Sequence, residues 1–142
     1  MSRAEDAPPG VSELWNLPRS RSDTDRRGVV DPVLALLFPG QGSQEVGMGR
    51  EVYRASAAAR EVFDAADDAL GFSLSRICFE CPEDELLRTE VQQPAILTTG
   101  IALLRALREQ VEVAPSYVAG HSLGEYTALV ASGAVEFEDA VR

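Results

Sequence analysis

An unbroken apolar run and a second strand-length run each end in a glycine turn, and each turn leads into a helical pattern. The first run is Val33-Leu34-Ala35-Leu36-Leu37-Phe38, stopped by Pro39-Gly40; the second is Ser116-Tyr117-Val118-Ala119, stopped by Gly120. Apolar continuity at strand length, without alternation, is what a parallel strand covered on both faces shows. The intervening sequence supplies the crossover. Ser56 to Leu70 has a helical stripe of Val62, Phe63, Ala66 and Leu70, with Ser56 placed to cap its start and Gly71 to end it. Residues 72–80 and 83–87 read as short helical turns separated by Pro82. Gln93 to Val111 reads as a longer helix with Pro94 in its first turn. Its Ile96, Leu97, Ile101, Leu104, Leu107 and Val111 spread wider than one stripe, which predicts burial on more than one side. Pro115 ends the connection, residues 125–131 are helical after the second run, and Gly133 closes that helix. Strand, helix, strand, helix predicts an α/β fold with a short parallel sheet and flanking helices.

Residues 1–32 do not fit this pattern. Pro8, Pro9, Pro18 and Pro32, five arginines and six acids leave only scattered apolar residues, so the segment cannot offset its chain entropy and is expected to be a disordered tail. Glu5, Asp6 and Glu13 interrupt any secretory or transit pattern. Residues 33–142 are then one domain's worth of chain. The 142 residues carry a formal charge of −10, and all thirteen cationic side chains are arginine. Such acidity disfavours nucleic acid, whose binding comes largely from phosphate neutralisation. No apolar run approaches the ~20 residues of a membrane helix. Cys78 and Cys81 form a lone C-x-x-C between Ile77 and Pro82. That is the wrong context for a redox helix, and no histidine other than His121 exists to complete a metal set. The expectation is two reduced, semi-buried thiols, no metal, and a reducing cytoplasmic setting.

Chemistry concentrates in Gly120-His121-Ser122-Leu123-Gly124, a G-x-S-x-G at a strand-to-helix turn. There a serine hydroxyl projects above the sheet, and small residues two before and two after relieve the crowding. The helix that follows aims its first amides, Leu123 included, at the place where an oxyanion forms. The plainer alternative is an ordinary turn that Ser122 caps. A second oxyanion donor must come from another strand end, and the Pro39-Gly40-Gln41-Gly42 loop is placed for it. Read as a phosphate loop, that segment lacks the required lysine, and G-x-G-x-x-G fails at Ser43, Gln44 and Glu45.

Four ordered blocks make the pattern specific: Phe38-Pro39-Gly40-Gln41-Gly42-Ser43-Gln44 with Gly47-Met48-Gly49; Gln93-Pro94-Ala95-Ile96-Leu97; Gly120 to Tyr126; and Gly133 to Ala140. In order and spacing they resemble the malonyl-CoA:acyl carrier protein transacylases, over everything except residues 1–32. The resemblance implies the N-terminal part of an α/β-hydrolase-like acyltransferase core, without the family's ferredoxin-like subdomain. It implies ping-pong malonyl transfer in fatty acid biosynthesis, from CoA to Ser122 and then to the phosphopantetheine thiol of acyl carrier protein. Malonyl-CoA is a substrate, the phosphopantetheine belongs to the partner, and no cofactor or metal is implied. By matching position, the backbone amides of Gln41 and Leu123 form the oxyanion hole, and His121 and Gln93 line the substrate pocket.

Two family parts have no counterpart in these residues. The base is a histidine much farther along, and an imidazole one residue before Ser122 should diverge from Oγ on so sharp a turn. The carboxylate-holding arginine falls a few residues past Arg142, which does not match it. The helical pattern starting at Glu136 has no stop signal, so the chain is expected to be a fragment, weakly active or inactive, with an exposed and aggregation-prone sheet edge. Three other readings stay open: an esterase, an acyltransferase piece of a polyketide synthase, and a non-catalytic remnant. Glu125 after the last glycine disfavours the esterase. Residues 33–142 carry eight arginines against seventeen acids, so they offer little steering toward an acidic carrier protein.

Overall fold

A computed structural model describes residues 33–142; the tail expected over residues 1–32 lies outside the described residues. In chain order the elements are β1 (Ala35–Phe38), α1 (Arg50–Ala55), α2 (Ala57–Leu70), α3 (Leu74–Glu80), α4 (Glu83–Leu86), α5 (Thr89–Gln110), β2 (Tyr117–Gly120), α6 (Gly124–Ser132) and α7 (Phe137–Val141). The strands pair in parallel, Ala35 with Tyr117 through Phe38 with Gly120. This is the α/β arrangement with a short parallel sheet that the strand–helix alternation predicts.

The α2 helix forms where its pattern and caps place it. Ser56 is extended, at φ −124° and ψ 131°, and its hydroxyl accepts the Ala59 N–H at 3.0 Å. The Glu109 carboxylate accepts the neighbouring Ala58 N–H at 3.1 Å, and these two donors, Ser56 first, hold its pKa below the ordinary carboxylate value. A cap of this kind contributes about 1 kcal/mol. Gly71 ends the helix in the left-handed region at φ 73°. The buried Ala59, Val62, Phe63 and Ala66 face α5, which α2 packs against. Burying a side chain such as Phe63, which is fully enclosed, stabilises by roughly 1.5–3 kcal/mol. Tyr53, Phe63 and Phe79 meet with centroids 5.0–5.8 Å apart and tie α1, α2 and α3 together.

The structure corrects three expectations. The long helix starts at Thr89, so Pro94 lies inside it rather than in its first turn. Proline there removes one ladder bond, but the Val91 and Gln92 N–H groups already bond the Arg88 carbonyl, at 2.9 and 2.7 Å, and both residues are buried. Tertiary burial of that extra turn outweighs the lost bond. Burial of α5 on several sides holds through Val91, Ala95 to Thr99, Ile101, Ala102 and Leu104, but Leu107 and Val111, counted in the same pattern, are exposed. Helix α1 was not foreseen: it buries no residue, and its stripe is too short to register. The strands, expected to be covered on both faces, instead alternate between exposed and half-buried positions. Leu36 and Phe38 face the core, whereas Leu37 is 77% and Tyr117 68% exposed. Among the described residues, helices cover one face of the sheet only.

Cys78 and Cys81 are free thiols, and both are buried rather than semi-buried. Desolvation pushes the Cys78 thiol up from 9.0 to about 12. Burial, followed by the Glu85 carboxylate, also raises Cys81. A folded pKa above the unfolded one stabilises the fold fully below the unfolded value, and that stability drains as pH rises toward the folded value. Urea midpoints should therefore fall from about pH 9 to 12 in the native sequence, and more shallowly in Cys78→Ala, which lacks the titration. Parallel slopes in the two proteins would count against this. No helix among the described residues is long and apolar enough to cross a membrane.

Candidate active site

The chain leaves β2 at Gly120, reverses through His121, Ser122 and Leu123, and enters α6 at Gly124. Ser122 sits at φ 54°, the one non-glycine residue with positive φ among the described residues. A left-handed serine costs on the order of 1–3 kcal/mol and persists only where its surroundings enforce it. Two short bonds do so: Gly124 N–H to the His121 carbonyl at 2.9 Å, and Glu125 N–H to the Ser122 carbonyl at 3.0 Å. The Ser122 side chain is exposed, whereas Leu123 and Gly124 beneath it are buried.

The two flanking glycines are required for different reasons. A Cβ on Gly120 would overlap the Gly124 carbonyl and the Glu125 amide, so Gly120 lets the turn close on itself. A Cβ on Gly124 would overlap the Phe38 and Pro39 carbonyls, so Gly124 lets the loop after β1 cross the head of α6. That crossing brings the two sequence blocks together. His121 N–H bonds the Phe38 carbonyl at 3.1 Å. A Cβ on Gly40 would lie 2.6 Å from the His121 carbonyl oxygen and 2.9 Å from Nδ1, so the imidazole packs over Gly40. No hydrogen bond joins His121 to Ser122. Below, Gly100 of α5 lies close to Thr127 and Phe38, which sets α5 as the floor of the site.

The loop after β1 is braced along its length. Ser43 Oγ donates to the Gly40 carbonyl at 2.9 Å, Gly42 N–H donates to Gln44 Oε1 at 2.8 Å, and Gly47 N–H donates to the Cys78 carbonyl at 2.7 Å. The N–H groups of Gln41 and Leu123 have no acceptor among the described residues. They stand in the turns at the carboxyl ends of two adjacent parallel strands, beyond the Phe38–Gly120 pair. Crevices at such strand ends are where open α/β sheets bind ligands. The arrangement offers a hydroxyl, the positive end of a helix and two free donors within one small region, a set suited to acyl transfer.

Gln93 is half-buried and lines an open cleft of about 680 Å³ with Pro94, Leu97, Leu123 and Tyr126. Arg142 borders the far end of this cleft, with Nε on the Ala69 carbonyl at 3.3 Å and Nη1 3.5 Å from Asp139. Gln92, one residue earlier, was not singled out from sequence, yet it accepts from Gln41 Nε2 at 2.8 Å. Its signal was present: Gln92 lies on a helical stripe with Ile96 and Thr99, a polar side chain at a position patterned for burial.

A profile described as the acyl transferase domain matches residues 35–142. The malonyl CoA-acyl carrier protein transacylase of Bacillus subtilis (strain 168) is 53% identical over 108 residues, covering 76% of this chain and 34% of that protein. Among solved structures, the malonyl CoA-acyl carrier protein transacylase of Clostridium perfringens superposes with a TM-score of 0.73 at 46% identity, over 78% of this chain and 34% of that one. A type II polyketide-synthase malonyl-transacylase in complex with its acyl carrier protein gives a TM-score of 0.75 at 42% identity, over 78% and 36%. The chain spans about a third of the length of the curated relatives it matches.

Proposed function

Because the chain belongs to the acyl transferase domain family, we propose that its residues carry the nucleophile and oxyanion site of malonyl transfer from CoA to acyl carrier protein. The observation that carries this reading is the exposed Ser122, held left-handed at the head of α6 beside two acceptor-free amides. In this reading Ser122 Oγ attacks the malonyl thioester carbonyl. The C–S bond breaks, CoA leaves as its thiol, and a malonyl-serine ester remains. The pantetheine thiol of the carrier then attacks the ester carbonyl, and the C–O bond breaks to restore the serine. Each tetrahedral oxygen is received by the Gln41 and Leu123 amides, a donor of this type being worth roughly 10²–10³ in rate. Gln93 shapes the acyl side of the cleft, and His121 lies beside the nucleophile, packed over Gly40.

Ser122 must also lose a proton. The only histidine in these residues packs over Gly40, with no hydrogen bond to Ser122. Among the described residues no side chain is bonded to Ser122 to take this proton; with water as the acceptor, acylation should be slow and turnover low. Sites of this kind lacking a base keep about 10³–10⁴-fold acceleration over water from the oxyanion hole and binding alone. Incubated with labelled malonyl-CoA, the protein should gain one malonyl group, and peptide mapping should place it on Ser122. Added carrier protein should then receive the label on its thiol. Malonyl-CoA failing to label Ser122 while a nitrophenyl ester does so would reassign the protein to hydrolysis-type chemistry. Fast transfer with many turnovers would refute the low-turnover part.

A further inference from the structure

We propose that Gln92 is a positioning residue that aims the Gln41 amide at the developing oxyanion, an inference that rests on the acyl-transfer reading above. The loop after β1 lies against the α6 turn where Gly40 meets His121, and of its next two amides the Gly42 N–H is already taken by Gln44 Oε1 at 2.8 Å. Gln41 is the donor left over, and its exposed turn backbone has no ladder to fix its direction. Two contacts hold it: Ser43 Oγ donates to the Gly40 carbonyl of the same peptide unit at 2.9 Å, and the Gln41 side chain ties the residue to the helix layer, its Nε2 donating to Gln92 Oε1 at 2.8 Å across 51 residues of sequence. Gln92 is itself 9% exposed, and its backbone N–H bonds the Arg88 carbonyl at 2.7 Å in the opening turns of α5. Since α5 packs against α2 and α6, this second contact ties the amide of a surface loop to a carboxamide anchored in the core. A donor misaimed at the tetrahedral oxygen weakens the transition state and leaves ground-state donor binding untouched.

Methionine keeps the shape of glutamine without its hydrogen bonds, so Gln41→Met, Gln92→Met and the double variant form a cycle around this contact. The measurement is single-turnover acylation of Ser122, followed by mass spectrometry over a range of malonyl-CoA concentrations, and repeated with nitrophenyl acetate as donor. Each single variant should acylate about tenfold more slowly. The half-saturating donor concentration and the melting temperature should not change. The double variant should be no slower than either single, because both remove the same bond. Unchanged acylation in Gln92→Met overturns the inference, as does a double variant whose losses multiply, or a loss matched by weaker donor binding. Should Gln92→Met fail to fold, Gln41→Met on the surface loop decides by the same criteria. If only nitrophenyl acetate acylates Ser122 and the cycle holds, the malonyl reading is wrong and the role of Gln92 stands. If neither donor acylates Ser122, both fall.

Discussion

Gly120→Ala should cost about 3 kcal/mol or more, beyond the ordinary 1–3 kcal/mol of an overpacked side chain. The added methyl meets backbone, the Gly124 carbonyl and the Glu125 amide, rather than a side chain that could rotate away. Relief requires opening the turn. That would break the bonds from Gly124 N–H to His121 and from Glu125 N–H to Ser122, and would turn Ser122 out of its left-handed setting. With domain stabilities of 5–15 kcal/mol, such a loss removes much of the margin. Urea unfolding should show a much lower midpoint, and any folded fraction should acylate slowly. Gly42→Ala supplies the contrast. Gly42 also has positive φ, at 98°, but open space surrounds its missing Cβ. Only the backbone preference is lost there, about 1 kcal/mol. Equal midpoints for the two variants would refute the overlap argument.

Ser122 should show opposite effects on reactivity and stability. Both Ser122→Ala and Ser122→Gly should abolish acylation at this position, because neither carries an oxygen to attack. Their stabilities should differ. Alanine keeps a Cβ in the left-handed region, at a cost of roughly 1–2 kcal/mol, and glycine does not. Glycine adds freedom to the unfolded chain, about 0.4–1 kcal/mol in the other direction. On balance Ser122→Gly should unfold at higher urea than Ser122→Ala, by up to about 1 kcal/mol. Chemical denaturation of the two purified variants measures this directly. A less stable glycine variant would mean that the turn holds Ser122 without strain. The expected order makes the hydroxyl's exposed position a source of instability that the surrounding turn tolerates.

The sequence disclosed the features that depend on local chemistry. Ser56 and Gly71 bracket their helix because a cap acceptor and a left-handed terminus are decided by those residues alone. The G-x-S-x-G turn was legible for the same reason, since Gly120 answers to steric contacts within five residues. The parallel pairing followed from strand–helix alternation. What escaped was decided elsewhere in the chain. The start of α5 depends on burial of Val91 and Gln92, which Pro94 alone would not have indicated. Gly124 was attributed to crowding in its own turn, whereas the atoms that exclude its Cβ belong to Phe38 and Pro39, some 85 residues earlier. Gln92 passed unnoticed because its partner, Gln41, is 51 residues away in sequence.

The ladder that ends at Phe38 and Gly120 has a consequence for how this region tolerates insertions and deletions. Each residue added to or removed from either strand slides one turn past the other by about 3.3 Å and swaps which side chains face inward. The separation of the two turns is thus counted in residues of strand, a whole-number ruler with no half steps. Point changes along β1 can be absorbed by repacking, whereas a single-codon change in its length shifts the Gln41 turn by a whole step against the Ser122 turn.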